Sequence, residues 1–72
     1  MGTKPFSEQV KVVRTVLNLS QEELAHALGV SFATVNRWEN GKTNPSKLAQ
    51  RQFEQFCEEQ IELGNLTDEK ED

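Results

Sequence analysis

The sequence predicts an all-α domain of four short helices, with a fifth helix left open near the C-terminal end. Apolar residues recur at the three- and four-residue spacing of helical faces along most of the 72 residues. Hydroxyl and amide side chains stand just before several of these segments, where they can cap a helix. Glycines follow two of the segments, and a helix commonly ends in a left-handed glycine. These local signals define the helices in chain order.

The first helix is predicted to begin with Ser7, whose hydroxyl can cap the N-terminus, and to run to about Asn18. Its inward face has a 4-3-4 spacing: Phe6, Val10, Val13 and Leu17. Residues 1–5 are predicted to be a short disordered lead. The compact domain is therefore expected to start at residue 6.

Two shorter helices are predicted at residues 21–28 and 32–40. Each follows an apolar residue and a serine, Leu19-Ser20 and Val30-Ser31. In both places the serine can cap the free N–H groups, while the apolar residue packs onto one five positions later. Because both starts carry the same signals, these two boundaries are the most strongly specified in the chain.

The turn between these two helices has the residues that close packing requires. Gly29 stands where the first of them must end in a left-handed conformation. Ala25 is small where the two backbones must approach each other. Five apolar residues can fix the angle between the helices: Leu24, Leu28, Val30, Val35 and Trp38. The pattern predicts a helix-turn-helix, a motif that commonly binds DNA.

The fourth helix is predicted to start after Asn44 as its cap, with Pro45 at its first position, and to end near Gln60. Its inward residues are expected to be Ala49, Phe53, Phe56 and Cys57. A fifth helix stays open, because Ile61, Leu63 and Leu66 are few and close to Gly64. The domain is expected over residues 6–63, followed by an acidic, disordered tail over 64–72.

Many residues in one frame resemble a known family, the phage Cro/repressor-type or XRE helix-turn-helix proteins. The matching segments are Leu19-Ser20-Gln21-Glu22-Glu23-Leu24-Ala25, Leu28-Gly29-Val30-Ser31, Val35-Asn36-Arg37-Trp38-Glu39-Asn40-Gly41-Lys42 and Pro45-Ser46. The resemblance covers about residues 6–60. It implies a lambda-repressor-like domain that binds specific sequences of double-stranded DNA, without catalysis, as a repressor-like regulator of transcription.

One face of the third helix is suited to DNA. At 100° per residue, four side chains cluster away from the apolar face: Ala33, Asn36, Arg37 and Asn40. Arginine can donate two hydrogen bonds to guanine, asparagine can pair with adenine, and alanine can contact a thymine methyl. Phe32 lies at the border of the two faces. Packing on the core and contact with a thymine methyl both remain open for it.

The resemblance assigns roles to individual residues. Base contacts are implied for Ser31, Phe32, Ala33, Thr34, Asn36 and Arg37. Phosphate contacts are implied for Gln21, Asn40, Lys42, Thr43 and one nitrogen of Arg14. Arg14 and Glu39 resemble an ion pair that ties the first helix to the third. Family members often have a long polar residue where this chain has Phe32 and Ala33, which implies fewer hydrogen bonds to bases.

The charge is compatible with DNA despite a formal net charge of −4. Residues 1–51 carry seven basic and four acidic side chains, a net of +3, whereas residues 52–72 carry one basic and eight acidic, a net of −7. Attraction to phosphates depends on the local field, because salt screens charges beyond about 8–10 Å. A basic region with an acidic end therefore predicts modest nonspecific binding.

Other function classes are disfavoured by composition. The single Cys cannot form an internal disulfide, and Cys57 is expected to be a small buried residue. His26 has no companions at metal-ligand spacing, and no triad partners stand near Ser20 or Ser31. We therefore expect no metal, cofactor, small-molecule ligand or membrane contact, and a cytoplasmic location.

Two questions of partnership remain open at the level of sequence. A protein-interaction module that uses the same two helices without DNA is the alternative function. A homodimer on DNA is the other possibility, because such domains commonly bind paired half-sites. Candidates for the partner surface are Phe53, Phe56, Ile61, Leu63 and Leu66, although a domain of this size needs some of them for its own core.

Overall fold

The computed structural model describes residues 4–41 and 44–66. These residues form four helices: α1 Phe6–Val16, α2 Gln21–Leu28, α3 Phe32–Asn40 and α4 Lys47–Glu62. No strand occurs in the described ranges, so the all-α prediction is confirmed. Across those ranges no helix has the length and apolar content needed to cross a membrane.

The core lies where α1 and α2 pack along α3 and where α4 closes over them. Its buried side chains are Val10, Leu24, Ala25, Val35, Trp38 and Phe53. The Phe6 ring meets the rings of both Trp38 and Phe53 edge to face, each with centroids 5.3 Å apart. Such aromatic pairs are worth about 0.5–1.5 kcal/mol beyond the area they bury. Phe6 therefore joins the start of α1 to both α3 and α4.

The helix-turn-helix forms with the predicted boundaries. Ser20 Oγ accepts from the Glu23 N–H at 3.0 Å, and Glu23 Oε1 accepts from the Ser20 N–H at 2.8 Å, which completes the capping box. Ser31 Oγ accepts from the Thr34 N–H at 3.1 Å. Gly29 ends α2 at a φ of 77°, a left-handed conformation that glycine adopts at little cost. The predicted motif is confirmed.

The start of α1 differs from the prediction. The helix begins at Phe6 after Pro5, and no side chain caps it. Ser7 lies inside the first turn, so its predicted capping role is wrong. The end also comes earlier, at Val16, because Asn18 has a left-handed φ of 60°. Asn tolerates that conformation better than other non-glycine residues, and it ends the helix here.

The start of α4 also differs. Ser46 is its cap, with Oγ accepting from the Ala49 N–H at 3.1 Å. The predicted cap at Asn44 and helical position for Pro45 are therefore wrong. The helix extends to Glu62, past the expected end near Gln60, and Gly64 then turns left-handed at a φ of 86°.

The chain after α4 does not form a fifth helix as far as Leu66. The Asn65 N–H donates to the Gln60 carbonyl at 2.8 Å and completes the cap of α4. Residues 1–3 of the predicted lead and 67–72 of the predicted tail lie outside the described residues. Phe53, a candidate for a partner surface, is only 2% exposed. It belongs to the core, as its predicted inward position on the fourth helix indicates, and is not available to a partner.

Candidate nucleic-acid interface

The faces of α3 separate as the helical arithmetic predicted. Val35, Trp38 and Glu39 are buried. The exposed residues on the other side are Phe32, Ala33, Arg37 and Asn40, with Thr34 and Asn36 partly covered. None of the exposed residues is acidic. The outward face of α3 is therefore a short surface of apolar, amide and guanidinium groups.

A paired carboxylate holds α3 against α1. Arg14 Nε donates to Glu39 Oε2 at 2.7 Å, and Arg14 Nη2 donates to Glu39 Oε1 at 3.0 Å. Glu39 is only 6% exposed. Burial alone would raise the pKa of Glu39, but hydrogen bonds from Arg14 and Gln21 outweigh it and hold the pKa below its ordinary value. The carboxylate is thus charged at neutral pH.

Arg14 is largely committed to the protein itself. Its Nη1 also donates to the Leu19 carbonyl, at 3.2 Å. Three of its five N–H groups are then used within the domain, which leaves two for a ligand. The hydrogen bond to Glu39 raises the pKa of Arg14. This residue therefore has a structural role, and the implied phosphate contact stays a prediction.

A chain of amides connects this ion pair to the outer face of α3. Gln21 Nε2 donates to Glu39 Oε1 at 2.9 Å, and Gln21 Oε1 accepts from Asn36 Nδ2 at 3.1 Å. Asn36 Oδ1 in turn accepts from Asn40 Nδ2 at 3.0 Å. The sequence reasoning missed this network. The only local signal for it was the i, i+4 spacing of Asn36 and Asn40 on one helix.

The network changes how the predicted contact residues can act. Gln21, Asn36 and Asn40 each use one amide N–H inside the domain and keep one for a ligand. Their side chains are thus oriented before any ligand arrives, and preorganised groups lose less entropy on binding. Lys42 and Thr43, two further predicted phosphate contacts, lie outside the described residues.

The remaining predicted base-contacting residues surround the start of α3. The Ser31 and Thr34 hydroxyl oxygens are 2.8 Å apart, and Ser31 also caps the helix. Phe32 is 48% exposed, so its ring does not join the buried core. Within residues 4–41 and 44–66 the Arg37 guanidinium makes no hydrogen bond or ion pair, and the side chain is exposed.

Side chains of metal-binding type, a cleft and a cysteine thiol are the other chemical features of the described residues. No three His, Cys, Asp or Glu side chains in them are placed to hold a metal. A cleft between α1, α2 and α4 has no ionisable lining: Val16, Leu17, Leu19, Ala27, Phe56, Gln60 and Asn65. Burial, with a smaller effect of Glu54 and Glu58, raises the pKa of Cys57 to about 11, which keeps the thiol protonated.

Comparison with known proteins agrees with this geometry. A family described as helix-turn-helix matches residues 10–49, more than half of the chain. The chain therefore belongs to the XRE-type helix-turn-helix family, whose members are DNA-binding domains.

Two curated relatives are similar to parts of the chain. The Type II methyltransferase M1.ScrFI of Lactococcus lactis subsp. cremoris is 49% identical over 65% of this chain and 13% of its own length. The HTH-type transcriptional activator BcrR of Enterococcus faecalis is 44% identical over 57% of this chain and 20% of its own length. No solved structure matches significantly. The chain thus corresponds to a small part of much longer relatives.

Proposed function

We propose that the chain is the sequence-specific DNA-binding domain of a transcriptional regulator and inserts α3 into the major groove of double-stranded DNA. The observation that carries this proposal is the outward face of α3, which is exposed, free of acids and held in place by the Arg14–Glu39 pair. The domain acts by binding alone. A repressor-like action follows most simply, because a domain that occupies a promoter blocks access to it.

Base recognition in this proposal depends chiefly on Arg37. Its exposed guanidinium can donate to O6 and N7 of one guanine. Asn36 keeps one amide N–H that can reach an adjacent base, whereas Ser31 and Thr34 offer hydroxyls near the groove edge. Because few hydrogen-bond donors on this face are free, we expect the recognised DNA sequence to be short and to depend mainly on one guanine.

Phosphate contacts position the domain on either side of the groove. Gln21 lies at the N-terminus of α2, where free N–H groups and the helix dipole favour an anion. Asn40 is the last residue of α3, Lys42 and Thr43 follow in sequence, and Arg14 keeps two N–H groups. These contacts supply affinity without sequence preference.

Two copies of the chain are proposed to bind one DNA site together. A single short helix reads few bases, and paired half-sites about 34–36 Å apart, one helical turn, are the common solution for such domains. We propose a homodimer on DNA, in the cytoplasm, where the target DNA lies.

Selection from a pool of random duplexes tests the proposal directly. We expect enrichment of one motif that contains a guanine and recurs with a centre-to-centre spacing of about 10–10.5 base pairs. The Arg37→Ala variant serves as the control and should lose the enriched guanine. Failure of the native protein to enrich any sequence would overturn the proposal.

A protein-interaction module is the second candidate function. The module would use α2 and α3 without DNA, and the exposed ring of Phe32 on α3 favours it, because an apolar ring can also be buried against a partner protein. Counterion release distinguishes the two functions, because it makes DNA binding depend steeply on salt. An apolar protein interface would depend on salt weakly.

A further inference from the structure

On the basis of the proposed function, we infer that Phe32 makes this domain a reader of 5-methylpyrimidines. The exposed ring would contact the C5 methyl group of a thymine, or of a 5-methylcytosine, in the major groove. Phe32 would then determine specificity at one base position, beside the guanine assigned to Arg37.

The position of Phe32 carries the inference. It is the first residue of α3 and stays 48% exposed, although an aromatic core of Phe6, Trp38 and Phe53 lies within the same small domain. Its neighbour Ala33 is exposed and apolar as well. Among the exposed large apolar side chains of the described residues, Phe32 is the one on α3, so insertion of α3 into the groove would bury its ring against base edges.

Polar side chains beside Phe32 are turned toward the protein. Asn36, one turn further along the same face, directs Nδ2 to Gln21 and accepts from Asn40. The Ser31 hydroxyl caps α3 and lies against Thr34. Because these groups are partly engaged within the domain, the ring is the largest side chain that is free of such contacts at the first turn of α3.

The groups displayed in the major groove determine which base suits the Phe32 ring. The C5 methyl of thymine is the one apolar group that unmodified base pairs display in the major groove. A ring placed against any other base edge would cover a hydrogen-bond donor or acceptor without replacing its bond to water, which is unfavourable. Phe32 therefore favours a methyl and discriminates against cytosine, guanine and adenine edges.

The same methyl group has two sources. Thymine carries it in ordinary DNA, and 5-methylcytosine carries it after modification, at the equivalent atom of the ring. A domain that reads this methyl should therefore respond to cytosine methylation wherever a cytosine faces Phe32. The response would be a gain of affinity, since methylation adds the apolar contact that unmodified cytosine lacks.

Replacement of single thymines in the selected duplex tests the inference. Each thymine is replaced in turn by deoxyuridine, which lacks only the methyl group, and binding is measured by fluorescence anisotropy. We expect one position per half-site at which the Kd rises about 3- to 10-fold, the effect of removing one buried methyl group. At that position cytosine and 5-methylcytosine are then compared, and the methylated duplex should bind more tightly.

Two variants assign the effect to the ring. Phe32→Ala should bind the thymine and deoxyuridine duplexes equally, with only a small change in the thermal midpoint because the ring is half exposed and outside the core. Leu48→Ala removes another exposed apolar side chain, from α4, and should keep the full difference. Binding of duplex DNA with no methyl sensitivity, or sensitivity that survives Phe32→Ala, would overturn this inference alone. Absence of all duplex binding would overturn the proposed function with it.

Discussion

Arg37 is the single residue on which recognition of a base most depends. It is exposed on α3, and within the described ranges its guanidinium is not tied to another side chain, unlike the neighbouring Asn36 and Asn40. A free, exposed guanidinium can adopt the forked geometry that guanine requires. The amides next to it are oriented by the protein and can adjust less.

Removal of that side chain should affect affinity and discrimination together. We expect Arg37→Ala to cost about 1–3 kcal/mol on the selected duplex and to flatten the preference at one base position. Arg51→Ala removes the same charge from α4 and should weaken every sequence slightly and equally. Competition titrations against single-base variants of the duplex measure both effects. A loss in Arg37→Ala that is larger than in Arg51→Ala but equal for all sequences would show that Arg37 contacts a phosphate and not a base.

Glu39 should link stability to pH. Its pKa is lower in the folded protein than the ordinary value of 4.5, so the folded state favours the ionised form. The resulting stabilisation is complete above about pH 4.5 and is lost as the pH falls through the folded-state pKa. Glu39→Gln keeps the shape of the side chain and removes the charge.

Urea unfolding at several pH values measures this link. The Gln variant should be less stable by about 1–3 kcal/mol at pH 7, since charged hydrogen bonds to Arg14 weaken. The difference between the two proteins should shrink as the pH is lowered below 4.5. A difference that stays constant between pH 7 and pH 3 would show that the charge of Glu39 does not stabilise the fold.

At the scale of the helices, capping signals explain both the correct and the incorrect boundaries. The start of α2 is doubly specified, because Ser20 and Glu23 cap each other. The start of α4 was predicted two residues too early, with Asn44 as the cap, because Pro45 suits the first position of a helix. In the structure Ser46 is the cap, and its Oγ accepts a hydrogen bond from the Ala49 N–H.

The two candidate caps of α4 can be separated by matched substitutions. Ser46→Ala should lower the free energy of unfolding by about 1 kcal/mol, the common cost of a lost cap. Asn44→Ala should leave it nearly unchanged, because Asn44 is exposed and precedes the helix. Urea denaturation with both variants at one pH provides the comparison. A larger loss in Asn44→Ala would restore the original assignment of the cap.

The outward face of α3 was predictable from helical spacing and the Arg14–Glu39 pair from the resemblance, whereas the amide contacts beside them were not. Helical spacing within one element places Arg37 outward and Trp38 inward, and it needs no other part of the chain. The position of Phe32 at the border depends on which rings fill the core, and Phe6 and Phe53 come from distant segments. The hydrogen bond between Gln21 and Asn36 depends on how α2 and α3 lie relative to each other, and spacing within one helix does not give that.

For the whole molecule, the distribution of charge should govern association with DNA. Residues 1–51 carry a net of +3, and the acidic end beyond them lowers the attraction. We expect about three to five phosphates to be neutralised, which gives a slope of log K against log salt of about −3 to −5 per protomer. Anisotropy titrations across a salt series measure the slope. A flat dependence would favour the protein-interaction module.

The most direct test of the account is an amide NMR titration of the 15N-labelled protein with the selected duplex. The central claim is that the outward face of α3 contacts the DNA, so the largest shift changes should fall on Ala33, Arg37 and Asn40. The exposed positions Leu48 and Arg51 of α4 should stay nearly unchanged. Changes centred on α4, with α3 unaffected, would contradict the account.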